Sequence, residues 1–176
     1  RMSETTVSPI LATLALLALG GAFVVTVSLT SSGATSLHAL IQQRGRWIAF
    51  AIAATAMSGS LYYSEIANFP PCDFCWYQRI AMYPLALILL IAAVTNDRKN
   101  FRYVIPIAII GAALSGYHIQ LQLFPEQASS CQAAVPCHTQ WVDQFGFVSI
   151  PFMAGSGFLA ILALHIAIWR TDRSPA

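Results

Sequence analysis

Charged side chains are scarce in this sequence: Asp, Glu, Lys and Arg make up 9% of its 176 residues, against roughly a quarter in soluble domains. That scarcity excludes an ordinary water-soluble globule. The net charge of +2 is too small and too scattered for nucleic-acid binding, which calls for a basic patch. No Asp, Glu, Lys or Arg occurs between Thr5 and Gln43. The sequence also lacks the period-2 alternation of a membrane β-barrel, internal repeats, and any stretch between its apolar runs long enough for a soluble domain.

What it does have is apolar runs: 57% of the residues are hydrophobic. Ser8 to Thr30 is long enough to cross a bilayer, which takes about 20 residues. Four further runs lie at about Trp47 to Ala67, Ile80 to Asn96, Tyr103 to Phe124 and Phe147 to Trp169. Unpaired backbone polar groups are very costly in lipid, so runs of this length should be helices. The expected fold is an all-α membrane protein. Residues 1–46 hold one extra N-terminal transmembrane helix and a polar cytoplasmic linker, Ser31 to Arg46. Residues 47–170 form a four-helix transmembrane bundle, and 171–176 a cytoplasmic tail. Gly59, Gly111, Gly116, Gly155 and Gly157 are expected to let helices pack closely.

The placement of charge orients the spans. Arg44 and Arg46 precede the second run, Arg98, Lys99 and Arg102 separate the third from the fourth, and Arg170 and Arg173 follow the fifth. The positive-inside rule puts all seven in the cytoplasm. Apart from Arg1, Arg79 is then the one basic side chain outside, where Glu65, Asp73, Glu126 and Asp143 also collect, and the N-terminus lies outside. A cleaved signal peptide is the competing reading of Ser8 to Thr30, with Ser32 and Ala34 as small residues at a cleavage site; the run exceeds a usual h-region, and only Arg1 supplies a basic flank.

All four cysteines fall in the two outer loops, Cys72 and Cys75 in the first, Cys131 and Cys137 in the second. An even count outside the cytoplasm reads as a redox or structural disulfide set. Cys72 and Cys75 form C-x-x-C after Pro70 and Pro71 and before a helix-forming run, which predicts a helix N-terminus. Backbone N–H groups and the helix dipole there favour a thiolate, while Asp73 opposes it unless turned to water. Two other readings stay open: a pure staple of the loops, or a tetrahedral zinc site with His138 as a spare ligand, for which C-x5-C is a poor spacing. Haem attachment fails, since Trp76 stands where histidine is needed.

Arg79 adds a further pointer. Cys72, Cys75 and Arg79 follow one another at i, i+3 and i+7, which predicts sulfurs and guanidinium on one helical stripe. An arginine at membrane depth is costly and for that reason points to a functional site, the alternative being a snorkelling anchor. A guanidinium would stabilise the negative charge that grows on a quinone oxygen as it accepts electrons.

The run Pro71 to Pro84, PCDFCWYQRIAMYP, resembles the DsbB/BdbC family of membrane disulfide-forming proteins. HIQLQLFP at His118 to Pro125 and CHTQWVDQFGFVSIP at Cys137 to Pro151 are similar to two further segments of that family, so the resemblance spans about Trp47 to Trp169. It implies a bacterial inner-membrane oxidoreductase that reoxidises a DsbA-like, thioredoxin-fold partner and passes electrons to ubiquinone or menaquinone. By the same resemblance, Cys72 and Cys75 are the quinone-proximal pair, with Cys75 facing the quinone as thiolate. Arg79 and His118 bind the quinone, and Cys131 and Cys137 are the pair attacked by the partner, at Cys131. The five-residue spacer QAAVP resembles the compact members, and the extra helix lies outside the four-helix pattern. A vitamin K epoxide reductase-like protein would carry its C-x-x-C near the last span instead.

Overall fold

The structure is a computed structural model that describes residues 4–30, 35–131 and 135–173. The start of the expected linker (31–34), the middle of the Cys131–Cys137 loop (132–134) and the end of the tail (174–176) lie outside the described residues. Five helices follow in order: α1 (Glu4–Ser28), α2 (Thr35–Leu61), α3 (Asp73–Thr95), α4 (Phe101–Leu123) and α5 (Ile150–Arg173). Among the described residues there is no strand, only an isolated bridge between Gln144 and Val148. Four helices, α1, α3, α4 and α5, each contain a 23-residue segment long and apolar enough to cross a membrane. The chain is an all-α, multi-pass membrane protein.

The second run differs from its expected form. The described part of the polar linker is helical, and Leu37 and Ile41 fall one turn apart on the face that meets the core. Ile41 is buried and Leu37 packs against the core. α2 thus carries Arg44 and Arg46 within it, and its apolar part begins only at Trp47. A π-helical turn, Tyr62–Ile66, then extends it toward the first loop.

Helices α2, α3, α4 and α5 pack in sequence, and α5 closes back on α2, while α1 lies along α5. Small residues such as Ala49, Ala53 and Ala108 alternate with Leu85, Leu89, Phe158 and Ile161 in the buried core. With lipid outside as apolar as the core inside, such close packing takes the place of the hydrophobic effect in holding helices together. Gly111 matters most: a Cβ there would collide with the Phe158 ring. Gly155 makes similar room for Ser115, whereas Gly116 meets nothing within 4 Å and takes no part in close packing.

The two ends of the bundle differ chemically. At one end Arg46 Nη1 donates to Asn96 Oδ1 at 2.8 Å and Nε to the Asp97 carbonyl at 3.1 Å, so α2 is tied to the turn after α3. Asn96 closes α3 in the left-handed conformation, at φ 53°. Arg98 reaches Asp172 nearby at 3.6 Å. The cysteines occupy the other end. There the Tyr63 hydroxyl, on the π-helical turn, donates to Ser8 Oγ of α1 at 3.2 Å, which fixes the start of α1 beside the cysteine loops.

Candidate active site

Pro70 and Pro71 cannot donate backbone hydrogen bonds, and they bring the chain to Cys72 in an extended conformation (φ −76°, ψ 174°). Cys72 is the N-cap of α3, with its Sγ accepting from the Cys75 N–H at 3.4 Å and its carbonyl from Trp76 N–H at 3.2 Å. The C-x-x-C therefore opens a helix, as its spacing predicts. The extended backbone at Cys72 has a consequence that the i, i+3, i+7 pattern alone misses. Cys75 and Arg79 share a stripe facing one cavity, whereas Cys72 turns toward α4 and the second loop.

The two sulfurs of the pair remain free and 2.9 Å apart. Cys72 is buried with Cys137 and Leu121, and Phe74, Cys75, Cys131 and Val135 pack around them. Cys131 and Cys137 are joined as a disulfide. As a disulfide they offer no thiolates to a four-sulfur zinc site; Cys72, Cys75 and His118 are what remains clustered within 4.8 Å. Cys137 is fully buried, and Cys131 is the more accessible of the two. Asp73 does not simply face water: its carboxylate lies within 4.8 Å of the Cys131 and Cys137 sulfurs.

His118, at the end of α4, is buried between the two pairs. Its Nε2 lies 3.1 Å from the Cys137 carbonyl and 3.6 Å from Cys72 Sγ, and Phe74 packs against its ring. The hydrogen bond from the Cys75 thiol holds the Cys72 thiol well below its ordinary range. Burial opposes this, His118 reinforces it, and the backbone N–H of Cys75 adds the smallest share.

A cavity of about 500 Å³ opens beside the pair. Cys75, Gln78 and Arg79 of α3 line its upper end, with Ser60, Tyr63 and Phe69 across from them; below, α1, α2 and α5 make walls that are almost wholly apolar. Arg79 is held by α2: Nε donates to Ser60 Oγ at 2.9 Å and Nη2 to the Ser60 carbonyl at 3.0 Å. Its guanidinium also sits 5.2 Å from the Trp76 ring centre. These contacts fix the cation at the cavity wall and leave Nη1 without a protein partner among the described residues. His118 is not among the residues lining this cavity.

Of the residues singled out from sequence, the structure brings Cys72, Cys75, Cys131, Cys137 and His118 into one cluster, with Arg79 one turn below Cys75 on the cavity. It adds Ser60, Tyr63 and Gln78, which sequence reasoning passed over. The signal for them was present: polar side chains within apolar runs, near the end where the cysteines lie. Gln78 is buried and donates to Ser115 Oγ at 3.2 Å, bridging α3 to α4.

Comparison with known proteins finds relatives over most of the chain. The family profile described as "Disulfide bond formation protein DsbB" matches residues 42–170. The Bacillus subtilis "Disulfide bond formation protein C" is 47% identical over 130 residues, covering 73% of this chain and 94% of the relative. The Oceanobacillus iheyensis "Probable disulfide formation protein" is 46% identical over 121 residues, 65% of this chain and 81% of the relative. No solved structure matches the chain. With a match over most of its length and paired cysteines at one end of a helical membrane bundle, the chain belongs to the DsbB family of disulfide bond formation proteins.

Proposed function

We propose that this protein reoxidises a DsbA-like thioredoxin-fold partner outside the cytoplasm of a bacterium and delivers the electrons to a quinone in the inner membrane. One observation carries the reading: Cys75 lines the apolar cavity beside Arg79, while Cys72 is buried on the other side, against Cys137. The C-x-x-C thus stands between a lipid-like compartment and a second disulfide. The basic residues gather at the end of the bundle opposite the cysteines, which supports cysteine loops on the outer face.

The residues divide the work as follows. A partner thiolate attacks Cys131, the accessible sulfur, so that a partner–Cys131 disulfide forms and Cys137 leaves as a thiolate. Cys137 attacks Cys72 of the oxidised first pair, a Cys72–Cys137 bond forms, and Cys75 leaves as a thiolate at the cavity. The partner's second thiolate then resolves its bond to Cys131. The freed Cys131 thiolate attacks Cys137, restoring their disulfide and leaving Cys72 and Cys75 reduced. Each step is a thiolate displacement through a mixed disulfide, governed by access and leaving-group pKa. Burial of Cys137 and Cys72 together steers the second step inward.

The cavity fits a quinone: a polar end with a fixed cation and a thiol, and an apolar length below. A quinone bound there would supply the oxidant, accepting two electrons as the Cys72–Cys75 disulfide forms and taking up two protons that match those released by the partner's two thiols. Arg79 offers positive charge in a low-dielectric setting, where it is worth more than in water. Gln78, Ser60 and Tyr63 shape that polar end. His118, which the resemblance puts near the quinone, touches Cys72 and the Cys137 backbone here, so we assign it to the exchange between the pairs.

Thiol trapping of the purified protein tests the reading. With ubiquinone or menaquinone added, a reduced Cys72–Cys75 pair should become resistant to alkylation, and should stay reactive without it. A pair whose state ignores both quinones would leave only a structural staple.

A further inference from the structure

The helix that lies outside the family match has a place in the site. The match begins at residue 42, past α1, yet α1 supplies Leu11, Leu14, Ala15, Leu17 and Ala18 to the cavity that contains Cys75 and Arg79. Both its ends are fixed. Ser8 accepts from Tyr63 at the cysteine end, and Ala22 and Val25 belong to the buried core farther along. Between these anchors the helix turns only apolar side chains toward the cavity.

The cavity itself is graded. Arg79, Gln78, Ser60 and the thiol of Cys75 are at one end, and toward Ile48 the lining is apolar apart from Thr55. From Ser60 to Ile48 the wall follows twelve residues of α2, roughly 18 Å at the rise of an α-helix. A ligand that fills it has a polar head at the cysteine end and a long hydrocarbon tail. Most walls are shared with the four-helix bundle, and α1 closes the side that would otherwise open along α2 and α5.

We infer that α1 is the tail-binding wall of this cavity: its Leu11 to Ala18 face holds the isoprenoid chain of the quinone and makes binding depend on that chain. The inference rests on the quinone reading proposed above. Ala15 and Ala18 are its key positions. Ala15 is almost fully buried and Ala18 packs against the core, and both small side chains line the cavity. A larger side chain at either place occupies volume meant for the tail and leaves the polar end untouched. Leu14 and Leu17 supply apolar surface to the same wall.

The test uses the full-length protein in detergent and two probes with one benzoquinone head, one bearing a long isoprenoid tail and one a methyl group in its place, with the matching naphthoquinone pair run alongside. Binding is followed by quenching of tryptophan fluorescence, since Trp141 lines the cavity. Ala15→Phe and Ala18→Phe should each weaken the tailed probe by about tenfold and leave the tail-less one unchanged. Ile10→Phe, at an exposed position of α1 outside the lining, should alter neither. If the phenylalanine variants do not fold, Leu14→Ala combined with Leu17→Ala removes wall surface without adding bulk and should weaken the same probe selectively. Equal loss for both probes, or no loss for the tailed one, overturns the role of α1. If the unaltered protein binds none of the quinones and its cysteines ignore them in thiol trapping, the quinone reading fails and takes this inference with it. Binding by the unaltered protein with no selective effect of any α1 variant overturns the inference alone.

Discussion

The Nε2 of His118 lies 3.6 Å from Cys72 Sγ, so a residue of α4 reaches the cysteine that caps α3. That contact and the Cys75 hydrogen bond both favour the Cys72 thiolate, which carries a pH prediction. A thiol with a lowered pKa is ionised from well below neutral pH upward, and loses its thiolate only as pH falls through that lowered value. Alkylation of Cys72 in the reduced pair should therefore be nearly flat around neutral pH and decline in acid. Cys75→Ala removes the largest contribution and should move the midpoint up toward the ordinary value of about 8.5; His118→Ala should move it in the same direction by less. Unchanged profiles in both variants would mean that neither group stabilises the thiolate.

Arg79 separates two roles. Arg79→Ala should raise the quinone KM at least about tenfold while thiol exchange between the loops continues. Ser60→Ala removes one of its two anchors on α2 and should produce a smaller rise in the same constant, because the cation stays but is less well held. Equal loss of quinone use and loop exchange in Arg79→Ala would show that the residue is structural.

The difference in burial between Cys131 and Cys137 predicts an asymmetry in trapping. Mixed with a thioredoxin-fold partner whose single attacking cysteine is held as a disulfide with a small thiol, Cys137→Ser should accumulate a partner–Cys131 disulfide on a non-reducing gel, since the Cys131 thiolate displaces the small thiol and the internal cysteine that would resolve the new bond is gone. Cys131→Ser should accumulate little, its remaining sulfur being out of reach. The opposite pattern would reverse the order of attack.

Gly111 gives a stability prediction. Ala at this position meets the Phe158 ring, so Gly111→Ala should destabilise the bundle by about 1–3 kcal/mol, the usual cost of overpacking. Adding Phe158→Leu should recover part of it. Thermal unfolding in detergent measures both, and an unaltered Tm for the single variant would show that the α4–α5 contact yields readily.

Much of this architecture is legible along the chain. All five apolar runs lie in helices, four of them long and apolar enough to cross a membrane, where lipid leaves the backbone no other way to satisfy itself, and the C-x-x-C after two prolines marks where α3 starts. The four-residue step from Cys75 to Arg79 places both on one wall by helical geometry alone. The rest depends on contacts between distant segments, about which local pattern says nothing. Thr35 to Arg46 is polar enough to read as a loop, and its helix is held by Leu37 and Ile41 meeting a core built elsewhere. Ser60 is an unremarked serine until α3 brings a guanidinium to it. Cys72 and Cys75 are alike in sequence, and only the extended backbone at Cys72 sends one sulfur toward the second loop and leaves the other at the cavity.

The tie from Arg46 to the turn after α3 has an effect of its own. Its acceptors are a side-chain amide and a peptide carbonyl in the turn that leaves α3. At the cysteine end the direction is reversed, and a guanidinium of α3 reaches back to Ser60 of α2. The two helices are thus pinned to each other near both extremities by arginine, which holds their register along the length of the cavity wall they share.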